Sequence, residues 1–158
     1  MANDNQFRLT TKYIGTRGVH EYRATIPTWV QPEDSVLEIG CEWGSTTSLI
    51  AARCQNVIGA DVSAECIEQA RERYSHIRFE VLDGFDVLAA QKLDVRFTKL
   101  YIDMSGLSGY RSLLDTISLL NMYATVFRPE AIIVKSGSLK SFAANCIAWG
   151  YTKRGLNG

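Results

Sequence analysis

Four carboxylates and one amine stand at or near the ends of short apolar runs. Glu38 lies in Ser35-Val36-Leu37-Glu38-Ile39-Gly40, Asp61 in Asn56-Val57-Ile58-Gly59-Ala60-Asp61-Val62, and Asp83 closes Ile77-Arg78-Phe79-Glu80-Val81-Leu82-Asp83. Asp103 closes Thr98-Lys99-Leu100-Tyr101-Ile102-Asp103, and Lys135 closes Ala131-Ile132-Ile133-Val134-Lys135. The two oxygens of one carboxylate match a vicinal diol, which is the chemistry open to Asp61. The plainer role for Asp61 is a cap for the helix opened by Ser63. Asp83 begins Asp83-Gly84-Phe85, a turn where an acid or backbone group can read an adenine edge while an apolar residue packs on the ring. A lysine near other cations can take the proton of a hydroxyl, with an aspartate to orient it. Lys135 and Asp103 suit those two tasks. They equally suit a lysine reaching solvent and a structural acid.

After Glu38 the chain reads Gly40-Cys41-Glu42-Trp43-Gly44-Ser45-Thr46-Thr47. Gly40 and Gly44 permit a sharp turn and a close approach to a ligand. The following helix presents free N–H groups at its start. The G-x-G-x-x-G spacing of dinucleotide enzymes is absent. Glu38 would repel a pyrophosphate, so the turn suits a cationic or hydroxyl-rich ligand.

These residues need a scaffold that gathers the run ends. Helical stretches separate the runs: about 45–53, one opened by Ser63, about 85–92, about 109–127 and about 138–148. The second carries Ile67, Ala70 and Tyr74 on one face, the fourth Leu113, Ile117, Leu120 and Ala124. Pro129 stops the fourth. A sixth strand is expected to start near Tyr151. Alternating strands and helices predict an α/β fold: a Rossmann-like, doubly wound, mostly parallel sheet in a three-layer α/β/α sandwich. Such folds bind ligands outside the carboxyl ends of the strands, where strand order reverses. Residues 1–33 read as an N-terminal extension and 34–158 as the Rossmann-like domain. The segment Tyr13 to Trp29 mixes aromatics and cations, as a lid over a substrate would, or a helix packed on the sheet.

The composition sets the frame. The chain has 158 residues, 46% hydrophobic and 22% charged, enough for one domain with a sizeable core. Net charge is zero, but residues 1–31 carry +2, 32–130 carry −6 and 131–158 carry +4. Basic ends that meet in space would favour an anionic substrate. No apolar run is long enough to cross a membrane, and residues 1–8 do not read as a secretory leader, so a cytoplasmic protein is expected. Four cysteines and two histidines form no ligand-spaced cluster, so no metal is expected.

Val36-Leu37-Glu38-Ile39-Gly40-Cys41 with Gly44, then Gly59-Ala60-Asp61-Val62-Ser63, Leu82-Asp83-Gly84 and Tyr101-Ile102-Asp103, resemble the class I S-adenosylmethionine-dependent methyltransferases over about residues 33–137. The resemblance implies that Glu38, Gly40, Cys41 and Gly44 line the methionine part of the cofactor. Asp61, with Val62, would take the ribose hydroxyls. Asp83, Gly84 and Phe85 would face the adenine, and Asp103 the methionine amine or the transferred methyl. The family often has glycine where Glu42 stands. It usually ends in an antiparallel hairpin for which this chain is too short, leaving a sheet edge that a second copy would cover.

Ile102-Asp103-Met104-Ser105 and Ile133-Val134-Lys135-Ser136 are similar to RNA 2′-O-methyltransferases of the FtsJ and fibrillarin type, as is the Gly44-Ser45-Thr46-Thr47 turn. Those enzymes use a Lys-Asp-Lys set. Asp103 and Lys135 would be two of its members. Arg17, His20 and Arg23 occupy the stretch where the first lysine belongs, with Lys12 further upstream. The expected function is therefore methyl transfer, with an RNA ribose hydroxyl or a small-molecule hydroxyl as acceptor. A different reaction on the same fold and a non-catalytic methyltransferase-like binding subunit stay open. Met104 and Tyr110 are candidate pocket residues.

Overall fold

A computed structural model describes residues 10–104 and 112–147. Six parallel strands form one sheet in the order β1-β6-β5-β2-β3-β4. They are β1 (Lys12–Thr16), β2 (Ser35–Ile39), β3 (Asn56–Asp61), β4 (Arg78–Val81), β5 (Lys99–Ile102) and β6 (Ala131–Lys135). The helices are α1 (Val19–Ala24), α2 (Ile26–Trp29), α3 (Ser45–Ala51), α4 (Ala64–Arg73), α5 (Val87–Gln91), α6 (Leu113–Phe127) and α7 (Gly137–Asn145). The expected Rossmann-like, doubly wound architecture is present, all parallel among the described residues. The strands read as continuous apolar runs because both sheet faces are covered. Leu37, Ile39, Leu100, Ile102 and Ile132 lie in one buried core with Leu120 and Tyr123 of α6. Val36, Tyr101 and Ile133 lie in the other with Tyr22, Ile50 and Ile67.

The N-terminal stretch corrects one expectation. Lys12–Thr16 is a strand in parallel register with β6, from Lys12↔Ala131 to Thr16↔Lys135, while His20-Glu21-Tyr22-Arg23 lie in α1, the expected helix packed on the sheet. The strand covers one edge of β6. Lys12 consequently sits at the amino end of the sheet, next to the Trp29 ring and away from the strand carboxyl ends. It cannot serve as the first lysine of a catalytic set. The strand expected near Tyr151 and the pocket candidate Tyr110 lie outside the described residues. None of the described helices is long and apolar enough to cross a membrane.

The sheet's amino end is tied by a buried ion cluster. Lys99 Nζ donates to Asp34 Oδ1 at 2.8 Å and to Glu130 Oε2 at 2.7 Å, and Thr98 Oγ1 donates to the same Asp34 oxygen at 2.6 Å. This joins the starts of β2, β5 and β6. The opposite end is left to the loops that form the site.

Candidate functional site

Strand order reverses between β2 and β5, and there the carboxyl ends open on a cavity of about 640 Å³. Its lining includes Gly40, Glu42, Asp61, Val62, Cys66, Asp83, Gly84, Phe85, Asp103, Met104 and Lys135. Nine of the sequence candidates thus share one cavity: Gly40, Asp61, Val62, Asp83, Gly84, Phe85, Asp103, Met104 and Lys135. Glu38, Cys41 and Gly44 do not line it. The rim is acidic, as a ligand carrying cationic or hydroxyl groups requires. A second cavity of about 520 Å³, among Tyr13, Ile117, Leu139 and Phe142, has no charged lining residue. Among the described residues no cluster of three or more His, Cys, Asp or Glu is arranged for a metal.

Register explains which residues reach the cavity. Glu38 pairs with Tyr101, and Tyr101 with Ile133, so these three form one row across the sheet. Side chains alternate faces, so two residues on, past the ends of β2 and β5, Gly40, Asp103 and Lys135 continue that face toward the cavity. Glu38 is left one row down, almost wholly buried, accepting a hydrogen bond from Thr47 Oγ1. Burial pushes its carboxyl up to about 8, against the Thr47 bond, with Asp103 adding to the rise. Cys41 also turns into the core, where burial pushes its thiol up. Gly44, at φ 78°, caps α3 under the Phe79 ring, which a Cβ would meet at 2.7 Å.

The remaining acids are held by the backbone. Asp61 Oδ2 accepts from the Glu42 N–H at 3.0 Å and Oδ1 from the Ser63 N–H at 2.9 Å. Both oxygens keep lone pairs free for a diol. Glu42 makes its bond from φ 50°, a left-handed conformation that explains glycine's preference at this position. Its side chain is exposed at the cavity rim. Asp83 Oδ1 accepts from the Phe85 N–H at 2.9 Å, setting the turn that presents Phe85. The turn residue and the candidate adenine reader are therefore the same side chain.

Asp103 and Lys135 form an ion pair, Nζ to Oδ2, at 2.6 Å, both partly buried. The other oxygen, Asp103 Oδ1, is buried with no hydrogen-bond partner among the described atoms. A carboxylate oxygen in that condition is costly unless a ligand or a neighbouring group supplies a proton donor.

A cavity at the switch point of a parallel sheet, with an acid closing β3, accords with the class I S-adenosylmethionine-dependent methyltransferases. Residues 36–118 match the methyltransferase domain family, and the chain belongs to that family. Similar solved structures include YcgJ from Bacillus subtilis, 20% identical with a TM-score of 0.53, over 68% of this chain and 45% of that one. DesVI from Streptomyces venezuelae is 17% identical with a TM-score of 0.57, over 73% and 51%. CalS10, an amino pentose methyltransferase from Micromonospora echinaspora solved with S-adenosylmethionine bound, is 18% identical with a TM-score of 0.50, over 67% and 43%. The chain spans about half the length of these proteins. No curated protein sequence is significantly similar to it.

The residues present fit S-adenosylmethionine. The ligand carries a sulfonium, an ammonium, a ribose diol and an adenine. The cavity offers an acidic lining, a preset diol acceptor and an apolar ring, Phe85, beside the Asp83 turn.

Proposed function

We propose that the chain transfers a methyl group from S-adenosylmethionine to a hydroxyl placed at the Asp103–Lys135 pair. The observation that carries this is the pair itself, 2.6 Å apart at the cavity. The bound cofactor supplies an activated methyl on a sulfonium. Asp61 and Val62 hold the ribose, while Asp83, Gly84 and Phe85 hold the adenine. Gly40 lets the backbone approach the methionine part, and Glu38, Cys41 and Gly44 support that turn from behind. The acceptor hydroxyl must lose its proton as it attacks. Lys135 takes it at Nζ once the ammonium of the pair has given its own proton to solvent, and Asp103 Oδ2 stabilises the ammonium re-formed. In-line placement of hydroxyl and methyl by the cavity walls supplies the rest.

The acceptor that suits the rim is a small uncharged hydroxyl compound, because Glu42, Asp61 and Asp83 would repel phosphates. An RNA ribose is the second reading, and it rests on the resemblance of the Ile102-Asp103-Met104-Ser105 and Ile133-Val134-Lys135-Ser136 segments to the FtsJ and fibrillarin enzymes. Methylation that falls steeply with salt would mark the RNA substrate.

The test is calorimetric binding of S-adenosylmethionine and S-adenosylhomocysteine to the wild-type chain and to Asp61→Ala. The expected result is binding by the wild type that weakens at least about tenfold in the variant, as loss of two charge-assisted hydrogen bonds implies. A folded protein that binds neither ligand overturns the enzyme reading and leaves a non-catalytic subunit. Binding then directs a screen of hydroxyl acceptors with labelled methyl donor.

A further inference from the structure

The N-terminal segment lies outside the matched methyltransferase residues, yet it delivers a polar group under the site. Tyr22, on α1, is wholly buried, and its ring meets that of Tyr101 edge-on at 5.2 Å. Tyr101 belongs to the row Glu38–Tyr101–Ile133, directly beneath Gly40, Asp103 and Lys135 on the same sheet face. Tyr101 satisfies its own hydroxyl with Thr25 Oγ1 at 3.0 Å. The Tyr22 hydroxyl is buried and has no hydrogen-bond partner among the described atoms, and Asp103 Oδ1 is in the same state. A phenol can donate, and a carboxylate only accept. Each left alone is costly in a buried setting. Glu38 and Asp103 are the two nearby carboxylates whose fields act most on the Tyr22 phenol.

We infer that the Tyr22 hydroxyl is the second polar partner of Asp103, reached through one bridging water, and positions the Asp103–Lys135 pair from below. Lys135 holds Oδ2, and Tyr22 serves Oδ1. The pair is then fixed from two sides, and neither oxygen is free to rotate toward the cavity. Tyr22 touches no ligand, since it is fully enclosed. It acts through Asp103 and is a positioning residue. It lies in the stretch where the first lysine of a Lys-Asp-Lys set belongs, and it brings a neutral donor there instead of a cation.

Tyr22→Phe tests this, because it keeps the ring on Tyr101 and removes only the oxygen. The primary readout needs no ligand: the carboxyl carbon resonance of Asp103 and the side-chain resonances of Lys135, assigned with Asp103→Asn and Lys135→Met. The expected result is that both move in Tyr22→Phe while those of Asp34 and Asp83 stay in place. Tyr101→Phe, which loses a hydroxyl bound elsewhere, should leave both unmoved. S-adenosylmethionine should bind Tyr22→Phe about fivefold more weakly, a fraction of the hydrogen bond lost, because Tyr22 acts on the ligand only through Asp103. If Asp103 and Lys135 are unmoved in Tyr22→Phe, the inference is overturned, whatever the change in melting temperature. If they move but even the wild type binds no S-adenosylmethionine, the positioning link stands and the cofactor reading fails.

Discussion

A Cβ on Gly40 would lie 1.8 Å from the main-chain carbonyl oxygen of Asp103. The turn after β2 and the end of β5 are therefore in backbone contact, with no room for a side chain. The same residue has φ 79°, which any L-residue adopts at a cost. Gly40→Ala should consequently force the two strand ends apart. We expect a loss of about 2–4 kcal/mol in denaturant unfolding and loss of S-adenosylmethionine binding. An alanine variant with wild-type stability would show that the contact relaxes freely.

The buried carboxyl of Glu38 gives a pH signature. Its folded value, about 8, lies above its ordinary 4.5. A raised acid binds its proton more tightly in the folded state, so its stabilising effect is fully present below about 4.5 and is lost as pH rises through about 8. Glu38→Gln keeps an acceptor for Thr47 but cannot titrate. Its stability should therefore fall less between pH 5 and 8.5 than that of the wild type, by a few kcal/mol on an order-of-magnitude scale. Parallel melting-temperature profiles for the two proteins would contradict this.

Lys135 places a positive charge in a cavity proposed to bind a cation. Lys135→Met removes that charge and leaves the acids. S-adenosylmethionine should then gain affinity relative to S-adenosylhomocysteine, whose sulfur is neutral, by about fivefold. Asp103→Asn should shift the ratio the opposite way. Calorimetry with both ligands on both variants gives the ratio, and no change in either variant would place the sulfonium far from the pair. Methyl transfer to a hydroxyl should be lost in both.

Much of this site was legible because strand ends are. Asp61, Asp83, Asp103 and Lys135 each follow a β-branched run, and run ends in a parallel sheet gather at one edge. Glu38 lies one row below the cavity, a placement that only the pairing Glu38↔Tyr101 shows. Pairing is a long-range property that a run of residues does not carry. The same holds for β1. Lys12-Tyr13-Ile14-Gly15-Thr16 has a weak strand pattern, and its parallel partner, β6, lies at the other end of the chain. Tyr22 reads as one aromatic among several until packing sets it under Asp103.

The ion cluster at the amino end of the sheet bears on stability alone, far from the cavity. Lys99 and Asp34 are both buried, whereas Glu130 is exposed. Burial works to raise the Asp34 carboxyl, but the bonds from Lys99 and Thr98 prevail and hold it below its ordinary 3.8. A depressed acid stabilises the fold above its unfolded value, and that contribution disappears as pH falls through the folded value. Lys99→Met strands the Asp34 charge in the core and should cost about 3–5 kcal/mol at neutral pH. Replacing Asp34 by leucine as well removes the stranded charge. The double variant should regain most of the loss, since an apolar pair of similar volume often matches a buried ion pair. Urea titrations at pH 7 compare the three proteins. If the double variant is as unstable as Lys99→Met alone, packing around the Lys99 stem, and not the unpaired charge, sets the cost.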